Sequence, residues 1–316
     1  MLEASFKKET YQFKIPAGTS RGILKQRPTW FLKVWDSECP YVFGIGECAP
    51  LVNLSIDDRP DFEDKLNEVC KHIESYSELK RDDLLDFPAI RFGLEMAFND
   101  LKSGGKRLFF GQVHEPEIPI NGLIWMGDES FMKSQIDQKL EEGWGCIKMK
   151  IGAIDFEKEL KLLSYIREQN SKVQLRVDAN GAFDKSNVCQ KLEALAKYDL
   201  HSIEQPIKQG QWDLMREVCD LSPIPVGMDE ELIGVYGEKK IALLDAINPQ
   251  YLVMKPTLLG GFDLSNEWIQ FAEERNVKWW ITSSLEAGEG LSALRQYVSE
   301  KNLTEFQGLG TGTLFR

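Results

Sequence analysis

Two amines and three acids recur along this chain at a spacing that can do chemistry. CIKMKIG, residues 146–152, sets Lys148 and Lys150 two positions apart inside an apolar run. Side chains alternate across a strand, so both amines point to one face, and lysine is rarely buried without a partner. Further on, Asp178 lies in LRVDANGAF, Glu204 in SIEQPI, Asp229 in VGMDEEL and Lys255 in LVMKPTLLGG, each at the C-terminal end of an apolar run. The steps from Lys150 through these residues are 28, 26, 25 and 26 positions, one strand-plus-helix unit apiece. In a β/α barrel the C-terminal ends of neighbouring strands converge on one mouth, where active sites form. Each residue alone has an ordinary explanation. Asp178 can open a turn before Asn180 and Gly181, Glu204 can precede the turn at Pro206, and Asp229 can belong to a solvated acidic run. Surface charges, however, have no reason to recur once per unit.

Three carboxylates at one mouth repel and raise one another's pKa, which a divalent cation relieves. Oxygen-only ligands select a hard ion, Mg²⁺ with Mn²⁺ as a substitute, held by Asp178, Glu204 and Asp229. His201 falls at the start of its strand, the far end of a barrel, and His72 and His114 precede the barrel, so zinc is not expected. Lys150 and Lys255 flank the acids, one from each side. A lysine is a base only when neutral, and bringing its pKa from about 10.4 to 7–8 takes roughly 4 kcal/mol. Lys148, a like charge on the same face, supplies part of that. A cation between two amines, with no nucleophilic Ser, Cys or His, suits removal of a proton α to a carboxylate.

The elements that must position these groups follow from the hydrophobic pattern. Residues 118–125, 145–151, 173–179, 201–206, 224–230, 251–256, 277–284 and 306–310 are eight strand candidates, most separated by amphipathic helical segments. Alternating β and α implies a parallel sheet, and eight strands favour a barrel. Ahead of them, YQFKI, TWFLKVWD and YVFGIGECAP alternate like antiparallel strands, and residues 61–76 and 88–104 have helical spacing, which describes an α+β domain. Its end falls in the polar stretch GQVHEPE, dividing the chain into 1–115 and 116–316. With 316 residues, 42% hydrophobic and 28% charged, the chain reads as globular. A net charge of −12 argues against a nucleic-acid partner. No apolar run approaches a membrane span, and six cysteines without a Cys-x-x-Cys pair read as free thiols in a reducing, cytoplasmic setting. The expected partner is a small-molecule carboxylate substrate; no oligomeric state is implied. GGKRLFF and EAGEG lack the context of a nucleotide-binding loop.

At these residues the chain resembles the enolase superfamily, and the Lys-x-Lys with the later strand-end lysine resembles its muconate-lactonising-enzyme-like subgroup. Together SRGILKQRPTWFLKV, FGIGECAPL, IKMKIG, LRVDANGAF, SIEQPI, LVMKPTLLGG, SSLEAG and QGLGTGTLF are most similar to the o-succinylbenzoate synthase family. The resemblance implies an α/β fold, a modified (β/α)7β TIM-type barrel with an N-terminal α+β capping domain. It implies a carbon–oxygen lyase of menaquinone biosynthesis that dehydrates 2-succinyl-6-hydroxy-2,4-cyclohexadiene-1-carboxylate to 2-succinylbenzoate. Asp178, Glu204 and Asp229 would then bind Mg²⁺. Lys150 would take the α-proton and, as its ammonium, help the hydroxyl leave from the same face. Lys255 would lie over the opposite face of the ring as a fixed cation. Substrate contacts are expected from the capping loops near Ser20–Gly22 and Leu51–Leu54, from Asn180, and from Ser283 and Ser284. Gly260, with Gly261, would permit close backbone approach. Arg176 shares a face with Asp178 and would orient a carboxylate or a metal ligand, a supporting salt bridge being the equal alternative.

The same scaffold hosts N-acylamino acid racemases and dipeptide epimerases, in which both lysines work. The Asp-x-Asp that dipeptide epimerases resemble one another in at strand eight is GLGTG here; a muconate cycloisomerase is a weaker third reading. An idle barrel that only binds a partner is disfavoured, because an unused acid cluster has an electrostatic cost. Relatives continue past the last strand and pack a tail on the cap, whereas this sequence stops at Phe315-Arg316. That implies a trimmed sequence or a less firmly closed cap.

Overall fold

Strand alternation at the N-terminus builds a meander. A computed structural model describes residues 1–19, 22–111 and 117–315. β1 (Leu2–Thr19) pairs antiparallel with β2 (Gly22–Asp36), and β2 with β3 (Phe43–Cys48). β1 begins nine residues before YQFKI, because the Lys7-Lys8-Glu9 run that breaks the alternation is solvated, with Lys7 and Glu9 ion-paired at 2.7 Å. Against this sheet lie α1 (Phe62–Lys71), a 3-10 turn (Ile73–Tyr76) and α2 (Pro88–Lys102). Pro88 starts α2, where its missing N–H costs nothing, and Asp57 accepts from the Ala89 N–H at 2.8 Å. α2 is buried on nearly every side because it is wedged between sheet and barrel. A Cβ on Gly46 would stand 1.7 Å from the Gly93 carbonyl oxygen, so only glycine lets β3 and α2 approach this closely.

The second region is a parallel sheet. β4 (Gly122–Ile124), β5 (Cys146–Lys150), β6 (Gln174–Asp178), β7 (Ser202–Glu204), β8 (Val226–Met228), β9 (Tyr251–Met254) and β10 (Lys278–Ile281) stand side by side in sequence order. Helices connect them: α3 (Glu129–Glu141), α4 (Phe156–Gln169), α5 (Val188–Leu195), α6 (Trp212–Leu221), α7 (Glu238–Ile247), the single turn α8 (Pro256–Leu259) with α9 (Phe262–Glu273), and after β10 α10 (Glu289–Ser299). Val, Ile, Leu and Met on the outer face of the strands meet these helices, while the inner face carries Lys148, Lys150, Arg176, Asp178 and Glu204 and a separate cluster of Tyr251, Val253 and Trp280. The eighth strand candidate contributes two bridging residues. Gln307 pairs parallel with Ile120 and Gly308 with Thr282, joining the two edges of the sheet. The result is the (β/α)7β barrel with its α+β cap. The division at 115 and most of GQVHEPE lie outside the described residues. Among the described residues no helix is long and apolar enough to cross a membrane.

Cap and barrel meet over the mouth. Phe13, Ala17, Leu51, Leu258 and Leu285 form a buried cluster with Trp125, Ile233, Leu314 and Phe315 packed on it. Burying each large side chain is worth about 1.5–3 kcal/mol. Phe315 bridges Phe13, with ring centroids 4.8 Å apart, and the Lys14 N–H donates to the Leu314 carbonyl at 2.8 Å. Residues after the last strand therefore pack on the cap. Charged groups complete the seam. Buried Arg27 donates to the carbonyls of Ala49, Pro50, Ser284 and Leu285. Glu47 accepts from the N–H groups of Ala287 (2.6 Å) and Gly290 (2.8 Å) at the start of α10, and Glu95 from that of Phe262 at the start of α9.

Candidate active site

Register brings the acids together. Lys150 pairs with Asp178 across β5 and β6, and Asp178 with Glu204 across β6 and β7. Asp229 follows the last residue of β8, and Lys255 that of β9. Lys150, Asp178, Glu204 and Asp229, with Lys148, are buried, both lysines of the opening motif at 6% and 8% exposure, and the Lys255 side chain is 11% exposed. Lys148 Nζ donates to Glu204 Oε2 at 2.6 Å and lies 3.1 Å from Asp178 Oδ2. Lys150 Nζ reaches Asp178 Oδ2 at 3.0 Å and Asn180 Oδ1 at 2.8 Å, and stands 5.9 Å from the centre of the Trp125 ring. Lys255 Nζ is ion-paired with Asp229 Oδ2. Three ammoniums thus face three carboxylates.

Their titration is not uniform. Burial presses every charged form toward neutrality, and the neighbours decide who resists. For Lys148 burial acts downward, but Asp178 and Glu204 outweigh it and hold the amine above its usual value. Lys150 goes the other way: burial lowers it, Asp178 opposes, and the Lys148 charge adds to the lowering. Lys255, against burial, is raised by Asp229 and Glu230. Asp178 is held below the carboxylate range by Lys148 and Lys150 despite burial, while burial and Asp178 push Glu204 up to about 8. On one strand face, then, Lys148 is raised and Lys150 lowered.

As the side chains stand, no group of three or more His, Cys, Asp or Glu among the described residues is drawn together tightly enough to hold a metal ion. Lys148 and Lys255 occupy the acids instead. The donor set nonetheless fits a hard cation. It is all carboxylate oxygen on consecutive strands, and Glu204 Oε1 is buried with no hydrogen-bond partner, a costly state for a carboxylate oxygen unless a cation is there to meet it.

A cavity lies between mouth and cap. Lys148, Lys150, Asp178, Asn180 and Lys255 line one side, Ser283, Ser284, Thr282 and Thr311 another, and Leu51, Val52 and Asn53 descend from the cap. Gly22 and Ile23 also line it; Ser20 and Arg21 of the expected capping loop lie outside the described residues. Two expected contacts are corrected. Arg176 turns away from the acids to Glu305 (2.9 Å) and the Phe306 carbonyl (2.8 Å) and stacks over Trp280 at 3.9 Å. It shares a face with Asp178, but two residues along a strand are roughly 6.6 Å, enough to place it in the layer below. His201, 3.1 Å from Glu305, belongs to that lower layer too. Gly260 does not line the cavity either. Its carbonyl receives Arg91 Nη1 at 2.6 Å, so its close backbone approach serves the cap helix α2. Trp125 and Asn121, by contrast, line the cavity from the first barrel strand. Trp125 stands just past the end of that strand, where the charged residues of other strands stand, and a search for charges passes over it.

Comparison with known proteins agrees with this geometry. Residues 132–300 match the family model described as Enolase C-terminal domain-like. The chain is 43% identical to the o-succinylbenzoate synthase of Desulfotalea psychrophila, over 99% of this chain and 94% of that protein. The crystal structure of MenC from Desulfotalea psychrophila superposes with a TM-score of 0.86 at 40% identity, covering 99% of this chain and 95% of that one. A dipeptide epimerase from Cytophaga hutchinsonii, solved with Mg and D-Ala-L-Val, shares the fold at a TM-score of 0.86 and 19% identity, over 100% of this chain and 88% of that one. This chain belongs to the enolase superfamily and, within it, to the o-succinylbenzoate synthase family.

Proposed function

We propose that the cavity dehydrates 2-succinyl-6-hydroxy-2,4-cyclohexadiene-1-carboxylate to 2-succinylbenzoate, with Lys150 as the only acid–base group. Neutral Lys150 takes the proton from C1, α to the ring carboxylate. Its ammonium then gives that proton to the hydroxyl on C6 of the same face. The C6–O bond breaks, water leaves, and the electron pair from C1 closes the third ring double bond. The amine ends as it began. Lys148 stays charged, which keeps Lys150 neutral, and Lys255 holds a fixed positive charge on the other side of the delocalised anion. Asp178, Glu204 and Asp229 would hold Mg²⁺, which supplies positive charge to the substrate carboxylate as electron density moves into it. Asn180 and Trp125 flank the amine, and Ser283, Ser284 and Thr311 bound the far end of the cavity. The work is cytoplasmic and consistent with menaquinone biosynthesis.

The observation that carries this reading is geometric: Lys150 and Lys255 both line the cavity, each beside one of the acids that the strand register brings together, Asp178 at 3.0 Å from Lys150 and Asp229 paired with Lys255. The test is an absorbance assay for the aromatic product beside a racemisation assay on an N-succinyl amino acid. Dehydration by the wild type, lost in Lys150→Ala, is expected. Faster racemisation than dehydration would overturn it in favour of an acylamino acid racemase.

A further inference from the structure

We infer that Gln205 is a positioning residue that sets Asp229 for cation binding, an inference resting on the assignment of Asp178, Glu204 and Asp229 as the ion's ligands. Gln205 follows Glu204 directly and is fully buried, with φ of +41°, a left-handed conformation uncommon outside Gly and Asn. Every polar group it carries is used. Its backbone N–H donates to the Gly227 carbonyl of β8 at 2.8 Å, and its carbonyl receives the Gly181 N–H from the loop after β6 at 2.7 Å. Its side-chain Oε1 accepts from the backbone N–H of Asp229 at 3.1 Å and of Glu231 at 3.3 Å. Its Nε2 donates to the Ile207 carbonyl at 2.9 Å and to Glu231 Oε2 at 3.3 Å. One residue therefore ties together the three segments that carry the three acids.

Asp229 needs such a tie more than its companions do. Asp178 and Glu204 end β6 and β7 and are paired in the sheet. Asp229 stands beyond β8, before the short 3-10 turn Glu230–Leu232, with φ −121° and ψ −81°. The first N–H groups of a helical turn have no partner within it. Gln205 Oε1 satisfies two N–H groups at that junction, and so fixes the direction in which the Asp229 side chain leaves the backbone. Only a primary amide on a two-methylene stem can accept from two N–H groups there while donating to a carbonyl and a carboxylate. Losing it would leave Asp229 attached but misdirected, and cation affinity falls steeply when a ligand must be reoriented on binding.

The test titrates Mn²⁺ into the full chain and follows free Mn²⁺ by electron paramagnetic resonance, for wild type, Asp229→Asn, Gln205→Met and Gln205→Asn. Circular dichroism and the metal-free melting midpoint identify folded variants. Wild type should bind one ion and Asp229→Asn should bind it poorly; wild type that binds none would refute the ligand assignment itself. Given a wild type that binds, Gln205→Met and Gln205→Asn should bind Mn²⁺ at least tenfold more weakly. Saturating Mn²⁺ should restore much of their turnover, which a merely structural defect would not allow. If either folded variant binds within twofold of wild type, the positioning role is overturned. Gln205→Asn keeps the amide but retracts it, so it decides the matter if Gln205→Met does not fold. Should neither fold, Gln205→Glu replaces them: it keeps the acceptor but sets a carboxylate against Glu231. Affinity within twofold of wild type would then overturn the role, and a tenfold loss would uphold it.

Discussion

The barrel mouth and the seam beneath the cap both bury charge, yet they treat it differently. At the seam Arg27, Glu47 and Glu95 are each hydrogen-bonded to backbone groups across the two regions. Arg27 spends its guanidinium on four carbonyls, and Glu47 and Glu95 sit on the open N–H groups of α10 and α9, where the helix dipole also favours an anion. At the mouth the lysines and acids balance in number, but Glu204 Oε1 has no partner and Lys150 is pushed toward neutrality. The seam charges hold two regions together through backbone partners, whereas the open carboxylate oxygen at the mouth is available to a ligand. Sites of the second kind trade stability for function.

The strongest way to break this contrast is at Lys150. Lys150→Ala should lower dehydration by about 10³-fold or more, measured by absorbance, while the melting midpoint stays at or above that of the wild type. A marked loss of stability would place Lys150 with the structural charges. Next comes Arg27→Met, which strips the partner from four carbonyls. It should cost about 3–5 kcal/mol in urea unfolding, with turnover falling because the cap no longer seats.

Glu47 sharpens the comparison through pH. Burial raises it from 4.5 to about 7, its backbone partners at Ala287 and Gly290 opposing. The native state therefore keeps a proton that the unfolded chain has released. The stabilisation is present below about pH 4.5 and is lost as pH rises through about 7. Glu47→Gln, which cannot ionise, should flatten the fall in stability between pH 5 and 8 by about 1–3 kcal/mol, read from unfolding curves at each pH. The smallest effect belongs to a surface pair: Arg216→Ala removes the exposed contact with Asp220 (2.7 Å) and should change stability by under about 0.5 kcal/mol.

The sequence made the mouth easier to read than the seam, for a physical reason. One βα unit per acid is a rhythm along the chain, and a parallel barrel converts that rhythm into convergence. Lys148, Lys150, Asp178, Glu204, Asp229 and Lys255 could therefore be grouped before any coordinates. The seam has no rhythm: Arg27 meets Leu285 across 258 positions and Glu47 meets Gly290 across 243. Alternation also reports a face without its depth, which is why Arg176 was grouped with Asp178 though it serves Glu305 one layer down. Gly260 shows a related limit, since a glycine marks close approach without saying of what. Gln205 stood inside a quoted motif, but a neutral amide draws no notice in a search for charges.

The closure of the barrel through Gln307 and Gly308 also bears on how the molecule is made. Until those two residues leave the ribosome, the parallel sheet has bare margins at β4 and β10, and unpaired margins invite wrong partners during synthesis. The ring becomes continuous only once residues 307 and 308 are made, although the strands bearing the acids and amines are by then long complete. A nascent chain arrested before residue 307 would hold every charged group of the mouth on an unclosed sheet.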